Sequence, residues 1–266
     1  MRLGRWWLRR ESASGLWRTE VQAGDALGPP ATGANAAAPG FALRLALAPT
    51  QPVLLQGEAG FSRKGPREYE ASHYYSLPHL AAQGQLWRGA AVAAPAPGAA
   101  QAVQGRVWLD HEWSDTLLPP EAAGWDWLGL HLADGGALTV FRLRPAAPGA
   151  PAVWAGGSWR PAPQAPVRNF TPQEVRMEPL AHWVSPRTGG RYPVRWRLTT
   201  PAGVHEVQAV LEAQELDGAA STGTVYWEGV VTLRALAGST LAAGPVLGQG
   251  YLEMTGYVGR LRVGGD

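Results

Sequence analysis

The chain of 266 residues has no cysteine and a single lysine, Lys64, beside 22 arginines. Without thiols there are no disulfides, thiolate metal sites or cysteine nucleophiles, and the six histidines must carry any imidazole chemistry. An excess of charge of one sign is also missing: 23 basic against 21 acidic side chains leave a net +2, which implies no polyanion partner and no nucleic-acid function. No run of eighteen apolar residues occurs. The start, Met1-Arg-Leu-Gly-Arg-Trp-Trp7, lacks the apolar stretch of a secretory signal, so the chain as written reads as soluble, its compartment undetermined.

Several catalytic signatures are absent too. There is no Gly-x-Ser-x-Gly elbow to support a hydrolase built from Ser72 or Ser76 with His111 and Asp110. His111-Glu112 lacks the His-Glu-x-x-His spacing, and no glycine-rich turn sits between a strand and a helix to cradle phosphate. Neither a metal nor a cofactor is expected. No repeat of solenoid or propeller length is visible.

What the chain does have is turn residues and aromatics. Its 34 Gly and 23 Pro make up about a fifth of the residues, nearly twice the usual share. Long helices would be broken repeatedly at that density, whereas short strands tolerate it. With 45% hydrophobic residues and 13 Trp, the apolar mass suffices for one large or two ordinary cores. The expectation is an all-β protein.

Alternation supports it. Phe41, Leu43, Leu45 and Leu47 share one face of a strand, as do Tyr192, Val194, Trp196 and Leu198 of another. Further strands are read at Val204–Leu211, Thr224–Leu233 and Gly250–Val258. Trp125–Leu132 and Ala137–Arg144 form a hairpin turning at Asp134-Gly135; a two-residue turn there sets Trp127 opposite Arg142. Only Thr171-Pro-Gln-Glu174 carries a helix-start signal. Ala/Gly/Pro-rich stretches at Gly28–Gly40 and Ala93–Ala102 read as long loops, and the one at Pro145–Pro166 as a domain boundary, giving domains 1–145 and 146–266. Arg2, Arg5, Arg9 and Arg10 among Trp6, Trp7 and Trp17 read as amphipathic strands of the first core in preference to a stacking or membrane surface.

The densest chemistry lies in Trp108-Leu-Asp-His-Glu-Trp-Ser114. A regular strand there puts Arg106, Asp110 and Glu112 on one face, and His111 and Trp113 on the other, which is expected to line an interior. Burial would bring such an imidazole into the range of a general acid or base. Tyr74 and Tyr75 in Ser72-His-Tyr-Tyr-Ser-Leu77 face opposite sides, so one can line a cavity. Of Glu228 and Glu253, carboxylates inside apolar strands, at least one is expected to be buried and bonded to an Arg or Tyr, with Arg195 and Arg197 as the obvious supply and a role in ligand binding as the alternative.

Nine motifs in order, among them Gly60-Phe-Ser-Arg-Lys-Gly65, Ala71-Ser-His-Tyr-Tyr-Ser-Leu77, Gly105-Arg-Val-Trp-Leu-Asp-His-Glu-Trp113, Gly124-Trp-Asp-Trp127, Trp183-Val-Ser-Pro-Arg-Thr-Gly189 and Tyr226-Trp-Glu-Gly229, resemble the hydroxyneurosporene synthase (carotenoid 1,2-hydratase) family of predicted secreted hydrolases. The resemblance runs from Leu54 to Tyr257 and implies two lipocalin-like antiparallel β-barrels side by side, the first incomplete at its N-terminus. It implies acid-catalysed hydration or isomerisation of an apolar isoprenoid-type substrate, with a lipocalin-like carrier of an apolar ligand as the alternative, and peripheral membrane contact for substrate delivery. His111 with Asp110 and Glu112 would handle the proton; Tyr74, Tyr75, Trp113, Trp125, Trp127, Tyr226, Trp227 and Glu228 would line the site. The tyrosine and aspartate that follow the Trp-x-Trp strand in carotenoid hydratases are absent from Thr139-Val-Phe-Arg-Leu143.

Overall fold

The structure, a computed structural model, describes residues 1–23, 40–88, 100–116, 118–147, 149–218, 223–236 and 243–261. Most of the expected loops Gly28–Gly40 and Ala93–Ala102 lies outside them. The described residues hold no α-helix, and the Thr171 signal opens only a single 3-10 turn, Pro172–Glu174. There Glu174 reaches back to accept the Thr171 N–H at 2.9 Å. Everything else regular is antiparallel strand.

One sheet contains β1 (Arg2–Leu3), β2 (Trp6–Arg10), β3 (Trp17–Ala23), β4 (Phe41–Pro49), β5 (Leu54–Leu55), β6 (Phe61–Arg63), β7 (Ala71–Arg88) and β8 (Gln101–Trp113). The other contains β9 (Ala122–Leu132), β10 (Ala137–Pro145), β11 (Trp154–Arg160), β12 (Arg168–Phe170), β13 (Arg176–Val184), β14 (Arg191–Thr200), β15 (Gly203–Ala209), β16 (Glu215–Asp217), β17 (Val225–Leu236) and β18 (Ala243–Met254). The all-β, lipocalin-like class expected from the alternation and the motif resemblance is the one found.

The chain forms two compact units, Met1–Gln51 with His79–Leu109, and Pro52–Pro78 with Asp110–Asp266. In the first, β2, β3, β4 and the C-terminal part of β7 pair in that order, with Trp17 opposite Leu47 and Leu43 opposite Leu86. The Arg/Trp segment forms β1, β2 and the start of β3 here, its side chains half-buried or exposed, and Trp6 donates its indole N–H to the Gln22 carbonyl at 2.6 Å.

The second unit has the larger core. Its strands run in the order β12-β11-β10-β9-β18-β17-β15-β14-β13, and the two ends of that order follow one another in the chain through the 3-10 turn. Phe170 near one end and Met177 near the other belong to the same buried cluster as Leu128, Val140, Trp196 and Leu252, so the sheet curls around one core. Alternation explains which side goes in: Tyr192, Val194, Trp196 and Leu198 are all at most 3% exposed, while Arg191 and Arg197, at the alternate positions, face out. Asp126 and Arg142 are drawn into this interior as an ion pair at 2.7 Å. Tyr257 also donates to Asp126 at 2.8 Å, and the Arg142 guanidinium lies over the Trp196 ring at 4.8 Å.

Two sequence expectations are corrected here. The stretch from Pro145 does not separate domains; it joins hydrogen-bonded neighbours of one sheet, since Leu143 pairs with Trp125 on one side and Trp154 on the other. Proline and alanine density reports a connection without regular structure, whatever its length. The β9–β10 hairpin turns through three residues, because Leu132 and Gly136 still pair and Gly135 takes the left-handed φ of +86°. That extra residue shifts the register by one, so Phe141, not Arg142, stands opposite Trp127.

Candidate active site

The site belongs to the second unit and is built on the outward face of β9, β10, β17 and β18, the side away from the core. Leu128 and Leu130 point inward, so Trp125 and Trp127 must point outward, with Leu143 and Phe141 as their cross-strand partners. The segments Pro52–Pro78 and Asp110–Ser114 supply the rest. Trp125, Trp127, Phe141, Leu143, Tyr74 and Trp113 surround a cavity of about 250 Å³, and Ser62, Lys64, Glu112 and Ser114 add its polar groups.

The β7 and β8 side chains sort by parity. His73 stacks on Trp113 with ring centres 5.3 Å apart, and Tyr75 meets His111 edge-on at 5.2 Å. The alternate residues turn to the other face. Ser76 donates to Asp110 at 2.5 Å, Tyr74 is hydrogen-bonded to Asp110, and Trp127 donates its indole N–H to the Tyr74 oxygen at 3.1 Å. Burial and the charges of Asp110 and Glu112 push the Tyr74 phenol well above its ordinary pKa, so it stays a neutral donor. Gln56 completes the buried network, bonded to Ser76 at 2.9 Å, Thr139 at 3.2 Å and Ser158 at 2.8 Å.

Carboxylates crowd this face. Glu112 is 3.5 Å from the Lys64 ammonium. Glu228 and Glu253 stand directly opposite each other on β17 and β18. Glu253 accepts the Trp125 indole N–H at 3.1 Å. Its carboxyl is pushed up to about 7, first by burial and then by the charges of Glu228, Asp110 and Glu112. Burial also raises Glu228. A carboxylic acid that keeps its proton near neutrality therefore sits behind one wall of an aromatic cavity.

The AttH-like family pattern matches residues 3–257. The chain belongs to the AttH-like family. Among solved structures, a protein assigned as AttH from Nitrosomonas europaea is 40% identical, with a TM-score of 0.78, the alignment covering 96% of this chain and 69% of that one. Kievitone hydratase from Nectria haematococca shares the fold at 18% identity and a TM-score of 0.66, with the same coverage of 96% and 69%. No curated protein matches the chain.

In this AttH-like chain the strand with the densest chemistry alternates as expected but with its faces exchanged. Asp110 and Glu112 point to the cavity region, whereas His111 is exposed among Tyr75, His73 and Trp113 on the opposite side. His111 makes no bond to either carboxylate; period 2 fixes which residues share a face, and packing decides which face is inside. Trp113, 50% exposed, still reaches the rim of the cavity. Tyr74 lines the cavity and Tyr75 does not. Trp227 is wholly buried in the core and donates to the Glu212 carbonyl at 2.7 Å. Tyr226 and Glu228 lie on the outward face with Glu253. Among the described residues neither glutamate forms an ion pair, and Arg195 pairs with Glu206 at 3.2 Å instead. The expected Arg or Tyr partner is thus an indole.

Sequence reasoning missed Lys64, Ser62, Ser114, Phe141 and Leu143 as cavity residues. Lys64 had one visible signal, being the only lysine in the chain. Residues 139–143 of β10 hold no Tyr or Asp, and the hydrogen-bonded Tyr and Asp of this site, Tyr74 and Asp110, lie on β7 and β8.

Proposed function

We propose that this protein is a hydratase-like enzyme that protonates an isoprenoid-type double bond held in the aromatic cavity, leading to hydration or isomerisation. The observation that carries the reading is a cluster of Asp110, Glu112 and Glu253, one carboxyl of which keeps its proton up to about pH 7, set against walls of Trp and Tyr. Protonating an alkene forms a carbocation, which needs a positioned acid, aromatic faces to stabilise it and few competing nucleophiles. A carboxyl of the cluster gives its proton to the less substituted carbon of the double bond, leaving a tertiary cation on the other carbon, which Trp125, Trp127 and Tyr74 face. A water then adds to the cationic carbon and returns a proton to the carboxylate. Loss of a neighbouring proton instead shifts the double bond. The Tyr74 hydroxyl, fixed between Asp110 and Trp127, orients the Asp110 carboxylate.

Incubation with acyclic isoprenoids followed by mass spectrometry tests this reading, the expected product being heavier by one water. Glu112→Gln should lower turnover by about a hundredfold or more, the usual scale for losing an acid–base group, because it removes the carboxyl of the cluster that lines the cavity. A carrier of an apolar ligand is the second reading, favoured by the absence of the Tyr and Asp from β10; it predicts tight binding, no conversion, and affinity unchanged in Glu112→Gln.

A further inference from the structure

Next to the aromatic cavity lies a larger cleft of about 680 Å³, also within the second unit, and Ser62 and Phe141 line both. The two differ in chemistry. Glu58, Glu68, Asn169 and Thr171 border the cleft together with Arg63 and Phe61. Glu58 and Glu68 are exposed and form no ion pair among the described residues. The one cation is committed elsewhere: the Arg63 guanidinium sits over Trp154 at 4.9 Å and donates to the carbonyls of Gly65 at 3.2 Å and Pro66 at 2.5 Å. Carboxylates outnumber it, so the lining repels an anionic group.

Volume limits what the aromatic cavity can take. At roughly 30 Å³ for each water-sized group, about 250 Å³ holds on the order of eight such groups, one or two isoprene units. A longer substrate must continue, and the cleft that adjoins the cavity is the more polar of the two, setting Glu58, Glu68 and Asn169 beside the rings of Phe61 and Trp154. Free carboxylates accept hydroxyl protons in pairs, the Asn169 amide has a second N–H beyond the one it gives the Gly57 carbonyl, and the 39% exposed Phe61 ring offers a face for ring C–H groups.

We propose that the cleft is a second subsite and takes a neutral, hydroxyl-rich ring such as a sugar, which makes the substrate class an isoprenoid with a polyhydroxylated head. This rests on the aromatic cavity taking the isoprenoid end. A chain that is hydrocarbon throughout would strip water from Glu58 and Glu68 with nothing in return.

Titrations of intrinsic tryptophan fluorescence with geraniol and with geranyl β-glucoside test it, because Trp113, Trp125 and Trp127 line the cavity. The glucoside should bind at least tenfold tighter than the alcohol. In the double variant Glu58→Ala/Glu68→Ala that advantage should vanish while geraniol binds as before; both side chains are exposed, so the fold is spared. Equal affinity of the two ligands for the unmodified protein, or an advantage that survives in the variant, overturns the subsite. If neither ligand binds, the reading of the aromatic cavity falls, and the subsite with it.

Discussion

Glu253 shows how a single side chain can report on its surroundings. Its carboxyl rises from 4.5 to about 7 because the ionised form is buried and faces other carboxylates. A raised folded pKa favours the protonated native state, so this contribution is fully present below about pH 4.5 and is lost as pH climbs through 7. At about 1.4 kcal/mol per pH unit, the ionised group costs the fold on the order of 3 kcal/mol above that point. Glu253→Gln should therefore raise the melting temperature clearly at pH 8 and little at pH 5; equal gains at both would show that the carboxyl ionises normally. His111 supplies the opposite case. It is exposed and bonded to neither acid, so His111→Ala should leave turnover within about threefold, whereas Glu112→Gln should not. Asp126 is wholly buried against Arg142, and Asp126→Ala leaves that guanidinium unpaired inside the core. Chemical denaturation should show a loss of about 3–5 kcal/mol.

At the scale of strands, alternation was legible and orientation was not. The period of two in Tyr192–Leu198 identified both the strand and its inner face, because large apolar residues occupied only one side. On β8 both faces carry chemistry, with Asp110 and Glu112 on one and His111 and Trp113 on the other, and hydrophobicity alone favoured the wrong one. The β9–β10 hairpin failed differently: Asp134-Gly135 marks a turn, but whether the loop has two or three residues depends on the pairing of Leu132 with Gly136, which no local signal states. Glu228 and Glu253 were recognised as unusual, yet their facing each other follows from a β17–β18 register that long-range pairing sets. The tightness of these pairings is itself testable. A Cβ on Gly250 would lie 1.9 Å from the Gly129 carbonyl oxygen, so Gly250→Ala should cost about 1–3 kcal/mol by forcing β18 from β9.

For the molecule as a whole, the family and the all-β class were readable from ordered motifs, while the compact units were not. The second unit takes in Pro52–Pro78, far earlier in the chain, and this segment brings Ser62, Lys64, Tyr74 and Ser76 to the outward face of β9 and β10. The candidate active site thus exists only because the chain returns. The carboxylates and aromatics gathered there are proposed to perform acid-catalysed chemistry on an isoprenoid end. The most direct measurement is incubation with geraniol, geranyl β-glucoside and an acyclic carotenoid in water enriched in heavy oxygen, followed by chromatography and mass spectrometry. At least one substrate should gain a labelled water or shift its double bond, and Glu112→Gln should abolish the change while His111→Ala retains it. Recovery of all three unchanged, or conversion that persists in Glu112→Gln, would contradict that chemistry.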